Sequence, residues 1–166
     1  MKKPSDFSRL MGYAGGHRVF TYASLALSAV SALMALLPFL YIWRILRDVL
    51  AAAPDYTQAV NIPHYGWMAV LFAVLSYLIY VCALLCSHLS AFRVATKLRL
   101  AVTKHLAELP LGFTERFGSG QLRKIIQEST GAAETYLAHQ LPDQAGAMAT
   151  PAGLLVLLFA FDWRLG

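Results

Sequence analysis

The chain has 166 residues, of which 58% are hydrophobic and 14% charged, with a formal net charge of +5. Soluble domains carry roughly a quarter charged residues, so the composition names lipid as the solvent for much of the chain, and the length allows three spans of about 20 residues with connectors. No basic stretch is interleaved with exposed aromatics, which sets a nucleic-acid partner aside. Two uncharged runs as long as those below would need a larger protein around them to be buried in water, which sets aside a soluble enzyme.

Residues 1–16 carry Lys2, Lys3 and Arg9 beside Phe7, Leu10, Met11 and Tyr13, and end at Gly15-Gly16. This amphipathic pattern predicts an interfacial elbow segment lying along a membrane surface. A signal peptide fits poorly, because the apolar run that follows exceeds a signal core of about 7–15 residues and no small-residue cleavage site closes it. The first span is expected at about residues 19–43, kinked near its end by Pro38. Ser24, Ser28, Ser31 and Ala35 fall on one helical stripe of small residues, read as a packing surface. Arg44, Arg47 and Asp48 mark the exit, with Arg44 and Asp48 spaced for a weak pair.

Pro54, Asp55, Asn61 and Pro63 predict a loop over residues 51–64. The second span follows at about 66–90, with Tyr65 and Trp67 at its border as an interfacial belt. From Ala91 to Glu108 there is no proline or glycine. Arg93, Lys97, Arg99 and Lys104 accumulate there while Leu98, Val102 and Leu106 keep an apolar stripe, so the helix is expected to continue into water. Pro110 and Gly112 then break it. Phe113 to Phe117 is long enough for one amphipathic turn, Gly118-Ser119-Gly120 ends that turn, and a helix restarts from Gln121 with Leu122, Ile125 and Ile126 on one face. An intracellular loop of about 91–134 results. The third span is expected at about 140–161, with Pro142 and Pro151 accommodated as kinks and Asp162-Trp163-Arg164 at the far interface.

Basic residues decide the orientation. Lys2, Lys3, Arg9, Arg18, Arg93, Lys97, Arg99, Lys104, Arg116, Arg123 and Lys124 share one side, against Arg44, Arg47 and Arg164 on the other. The positive-inside rule therefore expects the N-terminus and the connector in the cytoplasm.

Three constellations bear on chemistry. Cys82, Cys86 and His88 form C-x3-C-x-H, but one histidine and two cysteines fall short of a four-ligand site, and packed free thiols are the expectation. Gly118-Ser119-Gly120 lacks the lysine and hydroxyl of a phosphate loop, and no catalytic centre, metal site or cofactor site is read in the chain. His139 and Asp143 stand i, i+4 at the start of the third span beside Gln140. Ionisable groups at such a depth are costly unless they face a cavity or a partner. His139, Gln140 and Asp143 are therefore the candidate path-lining residues.

Leu109-Pro110-Leu111, Phe113, Gly120 and Leu122, set between two spans and followed by an apolar helix ending in Asp162-Trp163-Arg164-Leu165, resemble the transmembrane domain of ABC transporters with the exporter-type six-helix fold. The resemblance implies an all-α polytopic membrane protein: residues 17–166 as the N-terminal half of that domain, with three long helices extending into the cytosol and a short coupling helix. Leu111, Phe113, Thr114, Glu115, Arg116 and Phe117 would form the coupling helix, and residues 93–108 and 121–134 rigid levers. It further implies three more helices and a nucleotide-binding domain using ATP and magnesium, in a homo- or heterodimer of half-transporters at the inner (plasma) membrane. Three helices are few for a complete transporter, so the chain is expected to be part of a longer protein. The competing expectation is a small assembly or regulatory subunit that packs against other membrane helices.

Overall fold

In the computed structural model, residues 6–55, 59–161 and 163–164 are described, apart from the side chains of residues 6, 111, 113 and 114. The expectations for Lys2, Lys3, Asp162 and Leu165 lie outside them. The described chain is helical apart from short turns: α1 Asp6–Ala14, a 3-10 turn Gly15–His17, α2 Arg18–Met34, α3 Leu37–Ala52, α4 Ile62–Ala107, α5 Leu111–Phe117, α6 Ser119–Thr135, a π-helical turn Tyr136–Gln140, and α7 Leu141–Phe161. Three continuous helical stretches, Phe7–Ala52, Ile62–Ala107 and Ser119–Phe161, are long and apolar enough to cross a membrane. With 46 residues, α4 is about 69 Å long, more than twice the hydrocarbon thickness of about 30 Å. The all-α fold with three long helices and a short one between them is thus as expected.

The boundaries refine the sequence reading. Ala35 and Leu36 form a turn between α2 and α3, because Pro38 has no N–H to return to Met34. Leu36 and Phe39 instead bond back three residues, to the carbonyls of Leu33 and Leu36, and the tightened turn shifts the helical phase. Ala35 is consequently exposed and drops out of the expected small-residue stripe, while Leu36 is buried. Helix α4 starts at Ile62, earlier than expected, because Pro63 is tolerated in a first helical turn. Gly112 lies inside α5 and leaves Pro110 as the break before it, and α6 begins at Ser119, so the break after α5 is Gly118 alone, at φ 71°.

The chain divides into two compact units, Met1–Ser24 with Leu84–Pro142 and Leu25–Ala83 with Asp143–Gly166. In the first, Met11, Ala14, Ala91, Val94, Leu137 and Ala138 form a buried cluster, with Phe7 and Leu10 of the elbow helix packed on it. Its amphipathic face is thereby spent on protein as well as on any membrane surface. Arg18 Nε donates to the Met11 carbonyl at 2.6 Å and ties α1 to α2. Thr21 and Ser90, both buried, share a hydrogen bond of 2.6 Å between α2 and α4. On α6 the inward face runs through half-buried Leu122 and Ile126 to buried Thr130, and Ile125, expected with Leu122 and Ile126, is exposed because its position lies about 100° round the helix from Ile126.

The π turn lies in this unit, next to buried Pro142. Proline cannot donate to the carbonyl four residues back, which is Ala138. The Leu141 amide bonds five residues back to Tyr136, and the Ala138 carbonyl accepts from the Ser87 hydroxyl of α4 at 2.7 Å, a proton shared with the Leu84 carbonyl at 2.8 Å. A helix-helix hydrogen bond thus replaces one that the sequence removed.

In the second unit the packing surface is again small. Ser28 and Ser31 are buried, and Ser31 donates to the Ser76 carbonyl at 3.0 Å. Gly146 sits over Ser28, where a Cβ would lie 3.3 Å from its hydroxyl oxygen, and a Cβ on Gly153 would come within 2.6 Å of the Leu33 side chain. Helices approach this closely only over such residues. Asp48 pairs with Arg47 at 3.7 Å, and the expected pair with Arg44 does not form. The Arg44 guanidinium lies over the rings of Tyr41 and Tyr65, at 5.6 and 6.0 Å, a contact that competes with an exposed ion pair worth little.

Ser87→Ala should leave the Ala138 carbonyl buried without its partner on α4 and cost about 1–3 kcal/mol. Pro142→Ala restores a backbone donor to the helix, so the double variant should lose less than the sum of the two single ones. Thermal unfolding in detergent, followed by circular dichroism, measures the cycle, and additive losses would remove the compensation.

Candidate functional site

The connector between α4 and α6 is built by helix breakers. Helix α4 ends at Ala107, where Glu108 and Leu109 bond back three residues to His105 and Leu106, Pro110 stops the chain from resuming at once, and α5 runs Leu111–Phe117. Gly118, in a left-handed conformation that costs glycine little, turns the chain into α6, and the Leu122 amide closes on its carbonyl at 3.2 Å. The result is a seven-residue helix held between two longer ones. Of the expected coupling residues, Glu115, Arg116 and Phe117 are exposed, while the side chains of Leu111, Phe113 and Thr114 are among those outside the description.

Behind the connector, α4 and α6 are tied together. Arg99 of α4 donates through Nε to Thr130 Oγ1 at 3.1 Å and through a terminal nitrogen to Glu134 at 2.8 Å. Thr130 is buried and its hydroxyl reaches the Ile126 carbonyl at 2.8 Å. Sequence reasoning gave Arg99 only as one of several cations. An arginine facing a threonine and a glutamate four apart on the next helix was the available signal, but the pairing of the helices was needed to use it.

Two of the polar residues at the start of the third span, His139 and Asp143, find partners on α4. His139 lies in the first unit, edge-on to His88 with ring centroids 4.8 Å apart, and His88 also meets Phe92 at 5.6 Å. Gln140 is exposed on the same π turn. Asp143 belongs to the second unit, where its Oδ1 accepts from the Tyr80 hydroxyl at 2.9 Å. The structure thus gives His139 and Asp143 separate partners. His88 entered the sequence reading only beside Cys82 and Cys86, which are free cysteines. Tyr80 was missed, although a phenol in the middle of an uncharged span is a polar handle in need of an acceptor.

The sequence matches the ABC transporter transmembrane region over residues 21–166. The chain belongs to that family. With three helices able to cross a membrane, it is an integral membrane protein. It is 31% identical to the mycobactin import ATP-binding/permease protein IrtA of Mycolicibacterium smegmatis over 84% of this chain and 16% of that protein. The protein of the same description from Mycobacterium tuberculosis is 38% identical over 47% of this chain and 9% of its own length. The ATP-dependent lipid A-core flippase of Idiomarina loihiensis is 32% identical over 99% of this chain and 28% of the flippase. The chain therefore spans less than a third of the length of these curated relatives. No solved structure matches it significantly.

The Arg99 tie is half exposed and screened by solvent, so Glu134→Gln should cost no more than about 0.2–1 kcal/mol, with the loss shrinking as salt rises. Unfolding midpoints of both proteins at low and high salt measure this, and a salt-independent loss would assign the effect to packing.

Proposed function

We propose that residues 17–166 form the N-terminal half of the permease domain of an ATP-driven transporter, with residues 1–16 as an interfacial elbow and the connector as its link to a nucleotide-binding domain. The observation that carries this reading is α5, a short helix bounded by Pro110 and Gly118 that presents Glu115, Arg116 and Phe117 between two longer helices. A helix this short, held between two helix breakers and carrying both aromatic and charged residues, fits a docking element. A nearly rigid α4, tied to α6 through Arg99 and Glu134, would carry a displacement at the connector into the membrane. ATP and magnesium would be used by the nucleotide-binding domain, since no phosphate loop is read in this chain. The complete transporter would add further helices and pair two half-transporters. Two relatives carry "ATP-binding/permease" in their names and a third is described as ATP-dependent, which supports the same partnership.

The aromatic pair Phe113 and Phe117 stands four apart on α5 and would enter a groove of the ATPase, with Glu115 at the rim. In the complete transporter, Phe113→Ala or Phe117→Ala should weaken docking by about 2 kcal/mol and uncouple ATP turnover from transport, while Glu115→Ala should do little. Normal coupled transport in both phenylalanine variants, together with no crosslink from α5 to the ATPase, would end the coupling role.

Orientation follows the basic residues, with the N-terminus and connector in the cytoplasm. Single cysteines at Asn61 and Ser119, both exposed, in a background lacking Cys82 and Cys86 should react with an impermeant maleimide from opposite sides of the membrane. Labelling of Ser119→Cys from outside intact cells would reverse the assignment.

A further inference from the structure

Helix α1 has one apolar stripe, and the protein itself occupies it. Phe7, Leu10, Met11 and Ala14 stand at i, i+3, i+4 and i+7, which is a single face of a helix. Met11 and Ala14 are buried within the chain, and Phe7 and Leu10 pack on the same cluster. The helix turns Ser8, Arg9, Gly12 and Tyr13 outward. A helix held by a membrane surface commits its apolar face to lipid, whereas here that face is committed to side chains of this chain.

Those side chains come from two other helical stretches. Ala91 and Val94 belong to α4, Leu137 and Ala138 to the π turn, and Tyr136 and Leu141 pack around them. On α4, Ser87, Ala91 and Val94 stand at i, i+4 and i+7. One face of α4 therefore meets the turn through the Ser87 hydroxyl on the Ala138 carbonyl and meets the elbow through packing. Two cations secure the far end of α1. Arg18 donates to the Met11 carbonyl, and Lys97 of α4 brings its Nζ within 3.2 Å of where a Cβ on Gly15 would lie, at a helix C-terminus, where positive charge is favoured. All of these residues belong to the first compact unit.

A π turn interrupts the regular ladder of its helix, and Pro142 removes a further backbone bond beside it. Helix α4 is continuous at the same level. The third stretch thus has a soft point where α4 has none, and the buried residues of that soft point, Leu137 and Ala138, are the ones that share a cluster with Met11 and Ala14.

We propose that α1 is a strap that fastens the π turn to α4, so that the second and third helical stretches move as one body at this level when the transporter changes state. The fastening stands on the packing, and its part in a transport cycle rests on the permease reading. Met11 and Ala14 are positioning residues that act through Leu137 and Ala138.

Hydrogen exchange read by mass spectrometry on the intact transporter tests both parts. Met11→Asp puts an unpaired charge into the cluster and should speed exchange at least about tenfold in α1, at residues 136–141 and at residues 87–94 together. Met11→Ala should give the same pattern to a smaller degree, and it decides the matter where the aspartate variant does not fold. Arg9→Gln, on the outward face, should leave all three segments at parent rates. In the parent, the three segments should stay protected both without nucleotide and with ATP bound, and Met11→Ala should lower transport per ATP hydrolysed. Faster exchange confined to α1 in the Met11 variants, or loss of the parent's protection in one nucleotide state, would overturn the strap. Unchanged transport per ATP with a deprotected turn would remove it from the cycle. A parent protein that hydrolyses no ATP would count against the permease reading instead, and the exchange pattern of the Met11 variants would still decide the strap.

Discussion

In a hydrocarbon environment every backbone N–H and C=O has to find its partner within the protein, and this constraint governs how the chain handles its prolines. Pro38 and Pro142 each remove a donor from a long helix. The first is absorbed locally, by bonds to Leu33 and Leu36 that tighten one turn. The second is absorbed across a helix pair, by the Ser87 hydroxyl on the Ala138 carbonyl. Both solutions carry the helical path onward, and both fix something else in doing so: the first leaves Leu36 buried and Ala35 exposed, the second pins α4 against the π turn beside the elbow helix cluster.

Small hydroxyl residues do much of the remaining work. Apolar packing has little driving force between helices when lipid is as apolar as leucine, so close approach and hydrogen bonds must hold the helices together. Thr21 with Ser90, and Ser31 with the Ser76 carbonyl, are such bonds. Other hydroxyls reach back to their own helix, as Ser24 does to the Thr21 carbonyl and Ser76 to that of Ala73. No buried side-chain polar atom among the described residues is left without a partner.

Helix content, the three long apolar stretches and the short helix between Pro110 and Gly118 were legible in the sequence because hydrophobic run length and helix breakers act locally. Burial of Ser24, Ser28 and Ser31 was legible for the same reason, as a stripe at helical spacing. Ala35 and Ile125 were misplaced because each depended on helical phase, which a turn or a neighbouring helix sets. Asp48 was given the wrong arginine since spacing alone ignores the pull of Tyr41 and Tyr65 on Arg44. At the candidate site His139 and Asp143 were visible as costly groups, whereas His88 and Tyr80 required knowing which positions of α4 face the third helical stretch. That is tertiary information, absent from any one segment.

The three tryptophans of the chain, Trp43, Trp67 and Trp163, all belong to the second unit and all stand exposed. Trp43 touches Phe161 at 4.8 Å and lies under the Arg47 guanidinium at 5.1 Å, and Trp163 neighbours Phe159 at 6.1 Å. Indole light emission from this chain therefore originates from one unit only. The elbow, the Arg99 tie and the connector carry no indole, so a change in that emission reports on the second unit alone.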